Sequence, residues 1–365
     1  MQRIYLSLIA IFVFCTANAQ LTTPADGGSA KASVTERIGI TDVTINYGRP
    51  AVRGREGKIW GEVVHEGFQD QGYGNRKNGP WRAGANENTT IEFGTDVWVE
   101  GKPLHAGKYG FFIAYSPAVC TLIFSSNTSS WGSFFYEESE DVLRVTVKPV
   151  SQSQSKERLT YEFSNETDSS ATISLVWEKL AIPFNVSTNL QQLQMASYER
   201  ELRGEKGFDP HALQQVADYM AENSIRLNDA LDYANRAANA MPVFSVIMTK
   251  GKVLEKMNKQ AQADSILQMA INKGSAQEVH GYARSLLREK KFQKAFDVFQ
   301  ANYKHYPNTF TTNVGMARGY SAIGKPKDAL KYATQALPLA PDQLNKKSIE
   351  NMINTLKDGK ELSVM

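Results

Sequence analysis

Cysteine is nearly missing from this sequence, with two in 365 residues. One of them, Cys15, sits in an N-terminal stretch that reads as a removable leader, so the mature chain keeps Cys120 alone. A single thiol cannot close an intramolecular disulfide, and the fold must rest on its apolar cores. Cys120 falls in the strand-like run Val119-Cys120-Thr121-Leu122-Ile123-Phe124. There it is expected as a buried apolar side chain and not as a nucleophile. Histidine is scarce too: of the five, none stands in a His-x-His or His-Glu-x-x-His arrangement, so no metal site and no cofactor are expected. His65 and His105, together with Glu66 or Glu87, are the one grouping to weigh, and solvated polar residues are the simpler reading. Gly-x-Ser-x-Gly, a Walker-type phosphate loop and a Cys-His pairing are all lacking, which leaves nucleophilic and nucleotide chemistry without support.

Charge of one sign is also lacking. The net charge is +3, with 16 basic and 20 acidic residues over 20–188 and 24 and 18 over 189–365. Neither half has the dense basic face that nucleic-acid binding needs. Beyond the first twenty residues no apolar run is long enough to cross a bilayer, so no transmembrane segment is expected once the leader is removed. That leader has Arg3, an apolar run from Ile4 to Cys15, and Thr16-Ala17-Asn18-Ala19. It reads as a secretory signal peptide, residues 1–19, cut after Ala19. The expected location is periplasmic or secreted.

What is present divides at one place. From Ala32 to Val186 apolar residues alternate, as in Val43, Ile45 and Tyr47, with turns at short intervals. That pattern predicts about nine strands and a β-sandwich over residues 20–187. Glu100-Gly101-Lys102-Pro103 reads as a hairpin turn between Val97-Trp98-Val99 and Tyr109–Tyr115. After Ser187-Thr188-Asn189, which supply helix-capping chemistry, the period becomes helical, and residues 188–365 are expected to be all-α.

Within that half an internal repeat appears. Ala283, Leu286, Ala295, Phe299 and Pro307 recur 34 residues later as Ala317, Tyr320, Ala329, Ala333 and Pro341. Gly251, Leu254, Ala263 and Leu267 form a fainter copy offset by 32, and Ala217, Met220, Ala230, Ala234 and Pro242 an earlier one. A 34-residue period with small residues at fixed places and a closing proline resembles tetratricopeptide repeats. Small residues let paired helices approach, and proline stops the second helix. The second copy has no closing proline. Asp209-Pro210 and Lys325-Pro326 place proline at helix starts, and Leu344–Leu356 is expected as a capping helix. The predicted fold is thus multidomain: an N-terminal all-β sandwich-like domain and a C-terminal all-α tetratricopeptide-like helical repeat array.

The densest polar cluster is Trp81-Arg82-Ala83-Gly84-Ala85-Asn86-Glu87, running into the strand Thr89–Phe93. An indole, a guanidinium, an amide and a carboxylate in seven residues beside a strand make a candidate recognition site of Trp81, Arg82, Asn86 and Glu87. A structural role stays open beside it, with Glu87 paired to Arg82 or holding the loop backbone. Arg49 and Arg53, in the basic connection 49–58, are candidates for an anionic ligand, against a solvated loop balanced by Glu56 and Glu62. Trp60, with Trp81 and Trp131, is a candidate sugar platform, though tryptophans in a sandwich more often belong to the core. Trp131–Tyr136 would line a groove if exposed.

Several of these stretches resemble one family. Lys31-Ala32-Ser33-Val34, Gly39–Ile45, Tyr47-Gly48-Arg49-Pro50, Ile59-Trp60-Gly61, the 81–87 block, Asp141-Val142-Leu143-Arg144-Val145 and Trp177-Glu178 are similar to DUF2911, an uncharacterised domain of exported bacterial proteins of the Bacteroidetes type. The resemblance spans roughly residues 30–187. It implies a β-rich exported domain and no assigned activity. The stretch between Val64 and Trp81 is longer than the family's connection, and His105 replaces its usual proline.

Two functions follow as expectations. The preferred one is a non-enzymatic envelope protein, with a ligand- or protein-binding β-sandwich on an interaction scaffold whose concave helical face holds a protein or peptide partner, and with an anionic or carbohydrate ligand as a second binding candidate. The alternative is a hydrolase acting on envelope carbohydrate or peptide through Glu87 or Glu92, with Trp81 and Arg82 as binding groups.

Overall fold

The computed structural model describes residues 28–362. The leader, residues 1–19 with Cys15, lies outside the described residues. The chain divides into two compact units, the first ending at Ala196 and the second beginning at Ser197.

The first unit is built from two antiparallel sheets. One holds β1 (Ala30–Ile38), β2 (Thr41–Arg49), β3 (Thr89–Phe93), β6 (Gly107–Ala114), β7 (Cys120–Ser125) and β8 (Asp141–Val147), in the order β1-β2-β3-β6-β7-β8. The other holds β4 (Val97–Val99), β5 (Lys102–Leu104), β9 (Val150–Ser164) and β10 (Ser170–Ser187), in the order β5-β4-β10-β9. Alternation fixes which face turns inward. Val43, Ile45 and Tyr47 of β2 are buried while Asp42 and Asn46 are exposed. Val43 lies opposite Phe93 and Ile45 opposite Ile91, so a one-residue slip would turn this whole set outward. Phe111 of β6 meets Phe184 of β10, ring centres 5.6 Å apart, which ties the two inner faces together.

β6 breaks the alternation, because Tyr109 to Ala114 are buried on both faces. The outer face carries Phe112, which packs with Ile123 and Tyr136, so the loop leading to β8 covers it. The hairpin expected at Glu100–Pro103 is tighter than the sequence suggested. Glu100 and Gly101 both have positive φ, 48° and 75°, and Lys102 and Pro103 already belong to β5. β5 is an edge strand, where proline's missing N–H breaks no ladder.

The second unit is a series of helices. α1 (Leu190–Glu201) starts where Asn189 Oδ1 accepts the Gln192 N–H at 3.1 Å, and it runs across the division between the units. Then follow the pairs α2 (Pro210–Glu222) with α3 (Leu227–Ala240), α4 (Phe244–Lys256) with α5 (Gln260–Lys273), α6 (Ala276–Arg288) with α7 (Phe292–His305), and α8 (Phe310–Ala322) with α9 (Pro326–Ala336). α10 (Gln343–Lys357) closes the series by packing Ile349, Met352, Ile353 and Leu356 inward. The repeated small residues sit where helices touch: Ala217, Ala230, Ala234, Ala283, Ala295, Ala317, Ala329 and Ala333 are all fully buried. The N-terminal region is β-rich and the C-terminal region is a tetratricopeptide-like helical array, as the two periodicities predicted. Among the described residues no helix is long and apolar enough to cross a membrane.

Candidate functional site

The 81–87 block is fastened from several sides. Trp81 exchanges both backbone hydrogen bonds with Ile113 of β6, at 3.0 and 2.8 Å. The Ala83 carbonyl accepts from Thr89 Oγ1 at 3.0 Å and from Tyr161 Oη at 2.8 Å. Ala83 and Asn86 hold positive φ, 52° and 67°, which non-glycine residues adopt only when their surroundings impose it. Gly48 is required beside them, since a Cβ there would overlap the Ala85 carbonyl.

The four predicted side chains leave this corner in different directions. Trp81 is buried, donates Nε1–H to the Gly84 carbonyl at 3.2 Å, and lies nearly parallel to Trp177 with ring centres 6.2 Å apart. The Arg82 guanidinium donates to the Asn86 carbonyl at 2.7 Å and covers the Phe134 ring at 4.7 Å. Burial pushes its pKa down. Asn86 donates to the Ser29 carbonyl at 3.3 Å. Glu87 pairs with Lys31 at 2.6 Å and not with Arg82, and its side chain stays 44% exposed. The hydrogen bond from Lys31 holds its carboxyl below the usual range. Glu87 borders a shallow pocket of about 210 Å³ with Asn46, Asn88 and Thr90.

The remaining candidates are spread further. Arg49 donates to the Leu159 carbonyl and Thr160 Oγ1, both at 3.0 Å, which joins β2 to β9 across the two sheets. Arg53 is exposed at φ 51°, and its backbone N–H reaches Glu157 Oε1 at 3.0 Å. Trp60 is half-buried, edge-on to Trp81 at 5.7 Å, and packs on Tyr115 at 4.9 Å. Trp60, Trp81, Trp177 and Tyr115 therefore share one aromatic cluster at the core. Trp131 and Phe135, by contrast, are 55% and 54% exposed. Glu92 projects outward from β3 across from Lys108. His105 is exposed beside Asp96 at 3.3 Å. Cys120 is buried, and burial pushes its thiol up. Among the described residues no three His, Cys, Asp or Glu groups converge.

The helical unit holds an opening larger than the pocket beside Glu87. α2 packs on α4, and α6 on α8. α4 and α6 meet at one end, where Phe244 and Val279 close over Gly274. Along the rest of the two helices lies a cleft of about 440 Å³. Met248, Gly251, Leu267, Tyr282 and Leu286 give it an apolar lining. Its rim is a set of ion pairs: Lys252 bridges Asp218 at 3.3 Å and Glu222 at 2.7 Å, and Lys294 pairs with Glu255 at 2.7 Å. Thr249 Oγ1 donates to Asp218 Oδ2 at 2.9 Å and accepts from Gln214 at 3.1 Å, so the rim is fixed from below. Burial pulls the Lys252 ammonium down, yet its bonds to Glu222 and Asp218 outweigh this and leave it raised. Tyr282 is pushed up to about 12 by burial, with Glu255 adding to the effect.

Sequence reasoning did not single out this cleft, but a signal was there. The second repeat lacks its closing proline and runs two residues short of 34. Only Gly274 and Ser275 join α5 to α6, whereas four residues, 306–309, join α7 to α8. The cleft lies between the first helices of this shortened repeat and of the next, away from the Gly274–Ser275 end, where α4 and α6 meet.

Residues 29–186 match the family described as "Protein of unknown function (DUF2911)". No match was found among curated proteins. Solved structures similar to the chain include YrrB, described as a TPR protein with an unusual peptide-binding site, at 18% identity over 45% of this chain and 89% of that one, with a TM-score of 0.26. They also include TTC0263, a thermophilic TPR protein of Thermus thermophilus, at 19% identity over 45% and 91%, with a TM-score of 0.27. A point mutant of MamA is similar at 13% identity over 41% and 82%, with a TM-score of 0.26. These likenesses concern the helical fold alone.

Proposed function

We propose that the protein is a non-catalytic, exported interaction scaffold whose helical unit holds an extended segment of a protein partner in the cleft between α4 and α6. The observation that carries this reading is the cleft itself, an apolar trough of about 440 Å³ rimmed by fixed charges. An apolar side chain of the partner would fill the space between Met248, Tyr282 and Leu286, while its backbone meets the Gln214, Lys252 and Lys294 side chains. The net charge of +6 over residues 189–365 favours an acidic segment. Export is supported by the leader-like residues 1–19, and N-terminal sequencing of the mature protein is expected to begin at Gln20.

Filling the trough tests the partner reading. Gly251 faces the cleft from mid-α4, and a Cβ there would come no nearer than 3.5 Å to Ile266. A ring there would press on α5, whereas Ser245 is exposed and lines the same cleft, so Ser245→Trp should fold normally and lose partner retention in affinity capture from envelope extracts. Retention equal to that of the natural chain, at an unchanged melting temperature, would rule out this cleft.

A further inference from the structure

We infer that the first unit carries a saccharide-binding cleft, separate from the 81–87 block, between the loops 65–80 and 126–140. The inference does not depend on how the helical unit binds its partner.

The two loops are locked together before any ligand arrives. Gln69 and Gly79 close the first loop on itself with backbone hydrogen bonds at 3.0 Å, and Asn75 ties it to the second, its N–H donating to the Phe134 carbonyl and its Nδ2 to Glu137 Oε1, both at 3.0 Å. Between them and the start of β8 lies a cleft of about 480 Å³ lined by Phe68, Lys77, Asn78, Glu137, Glu138 and Arg144. Its floor is a buried network. Tyr136 Oη donates to Asp141 Oδ2 at 2.6 Å, Arg144 Nε donates to the same oxygen at 2.6 Å, and Arg144 Nη2 donates to Tyr136 Oη at 2.7 Å. The guanidinium is thereby held in one orientation, with Nη1 3.0 Å from Glu138 Oε1 at the rim and the Phe68 ring 5.4 Å away. Burial keeps the Asp141 carboxyl raised even though Tyr136 and Arg144 pull it down.

The mixture of charges selects the ligand class. An anion would face Glu137 and Glu138, and a cation would face Lys77 and Arg144, so either meets like-charge repulsion. A polyhydroxylated ring suits both, because each hydroxyl donates to a carboxylate and accepts from an ammonium, guanidinium or amide. Phe68, 38% exposed, offers an apolar face to the ring's C–H side. Tyr73, Trp131 and Phe135, at 69%, 55% and 54% exposure, stand on the same two loops and would extend contact to further units of a chain. A fixed, preorganised lining also limits the ordering cost of binding.

Calorimetric titration of the full chain with glucose, galactose, N-acetylglucosamine and their β-linked tetramers tests this. Saturable binding of at least one is expected, strongest among the tetramers. Glu138 is 78% exposed, so Glu138→Gln should fold normally and weaken binding about tenfold or more. Phe68→Ala should weaken it similarly, while Ser245→Trp in the helical unit should leave it unchanged. No binding at about 10 mM of any of these sugars would overturn the inference. So would binding insensitive to both cleft variants, or equally strong binding of inorganic phosphate with the same sensitivity.

Discussion

The two units of this chain use their polar residues in opposite ways. In the β unit the cluster that looks most like a site, Trp81 to Glu87, holds two sheets and a loop together. Its indole, guanidinium and amide all find partners within the protein. In the helical unit the sequence pattern is plain repetition, and the opening lies between α4 and α6, the first helices of the repeat that runs short and of the one after it. Density of chemically interesting residues marks a structural node in one case, and a break in periodicity marks a cleft in the other.

The largest effect expected from breaking this comparison is at Trp177. It is fully buried and meets both Trp81 and Trp60 at 6.2 Å. Trp177→Ala should destabilise the β unit by about 3–5 kcal/mol. Near-ultraviolet circular dichroism should then be lost at denaturant concentrations where the helical signal persists. A single joint transition would show that the units are not separable.

The helical unit has its own weak point at low pH. His280 is held at about 4 against an ordinary 6.5, chiefly by burial and further by Arg318 and Arg284. Its folded pKa lies below its unfolded one, so between those values the unfolded chain binds the proton more readily. This contribution is fully present above about pH 6.5, falls as the pH drops, and levels off below about 4, for up to about 3 kcal/mol in all. Melting temperatures across this range should flatten in His280→Phe; an unaltered slope would assign the effect elsewhere.

Two glycines sharpen the contrast between closed and open helix pairs. A Cβ at Gly315 in α8 would lie 2.6 Å from the Phe299 ring, so Gly315→Ala should cost about 1–3 kcal/mol. At Gly251 the same change comes no nearer than 3.5 Å to Ile266 and gains helix propensity, for about 0.5–1 kcal/mol of stabilisation. Urea unfolding of the two variants should therefore shift in opposite directions. The smallest change belongs to Glu87, a half-exposed partner of Lys31. Glu87→Gln should move stability by no more than about 0.5 kcal/mol, and a much larger loss in the same unfolding measurement would make it a structural anchor.

Much of the fold was legible in the residues themselves. Period two along β2 and the alanines spaced 34 apart each follow from one physical demand, a half-buried sheet face and a close helix contact. What could not be read was which distant side chain answers each polar group. Glu87 finds Lys31, and Arg82 finds the Phe134 ring, through pairings that local sequence does not encode. Asp141 and Arg144 stood in view as part of a family-like stretch. Their significance needed Tyr136 and Phe68, brought in from two loops.

Photocrosslinking compares the two units most directly, with a benzophenone side chain placed at Met248 in one chain and at Glu87 in another, each expressed in the exporting cell. Partner adducts are expected from Met248, and these should vanish when Ser245→Trp is added. Adducts from Glu87 with none from Met248 would contradict a partner site in the helical unit and return the role to the Trp-Arg block.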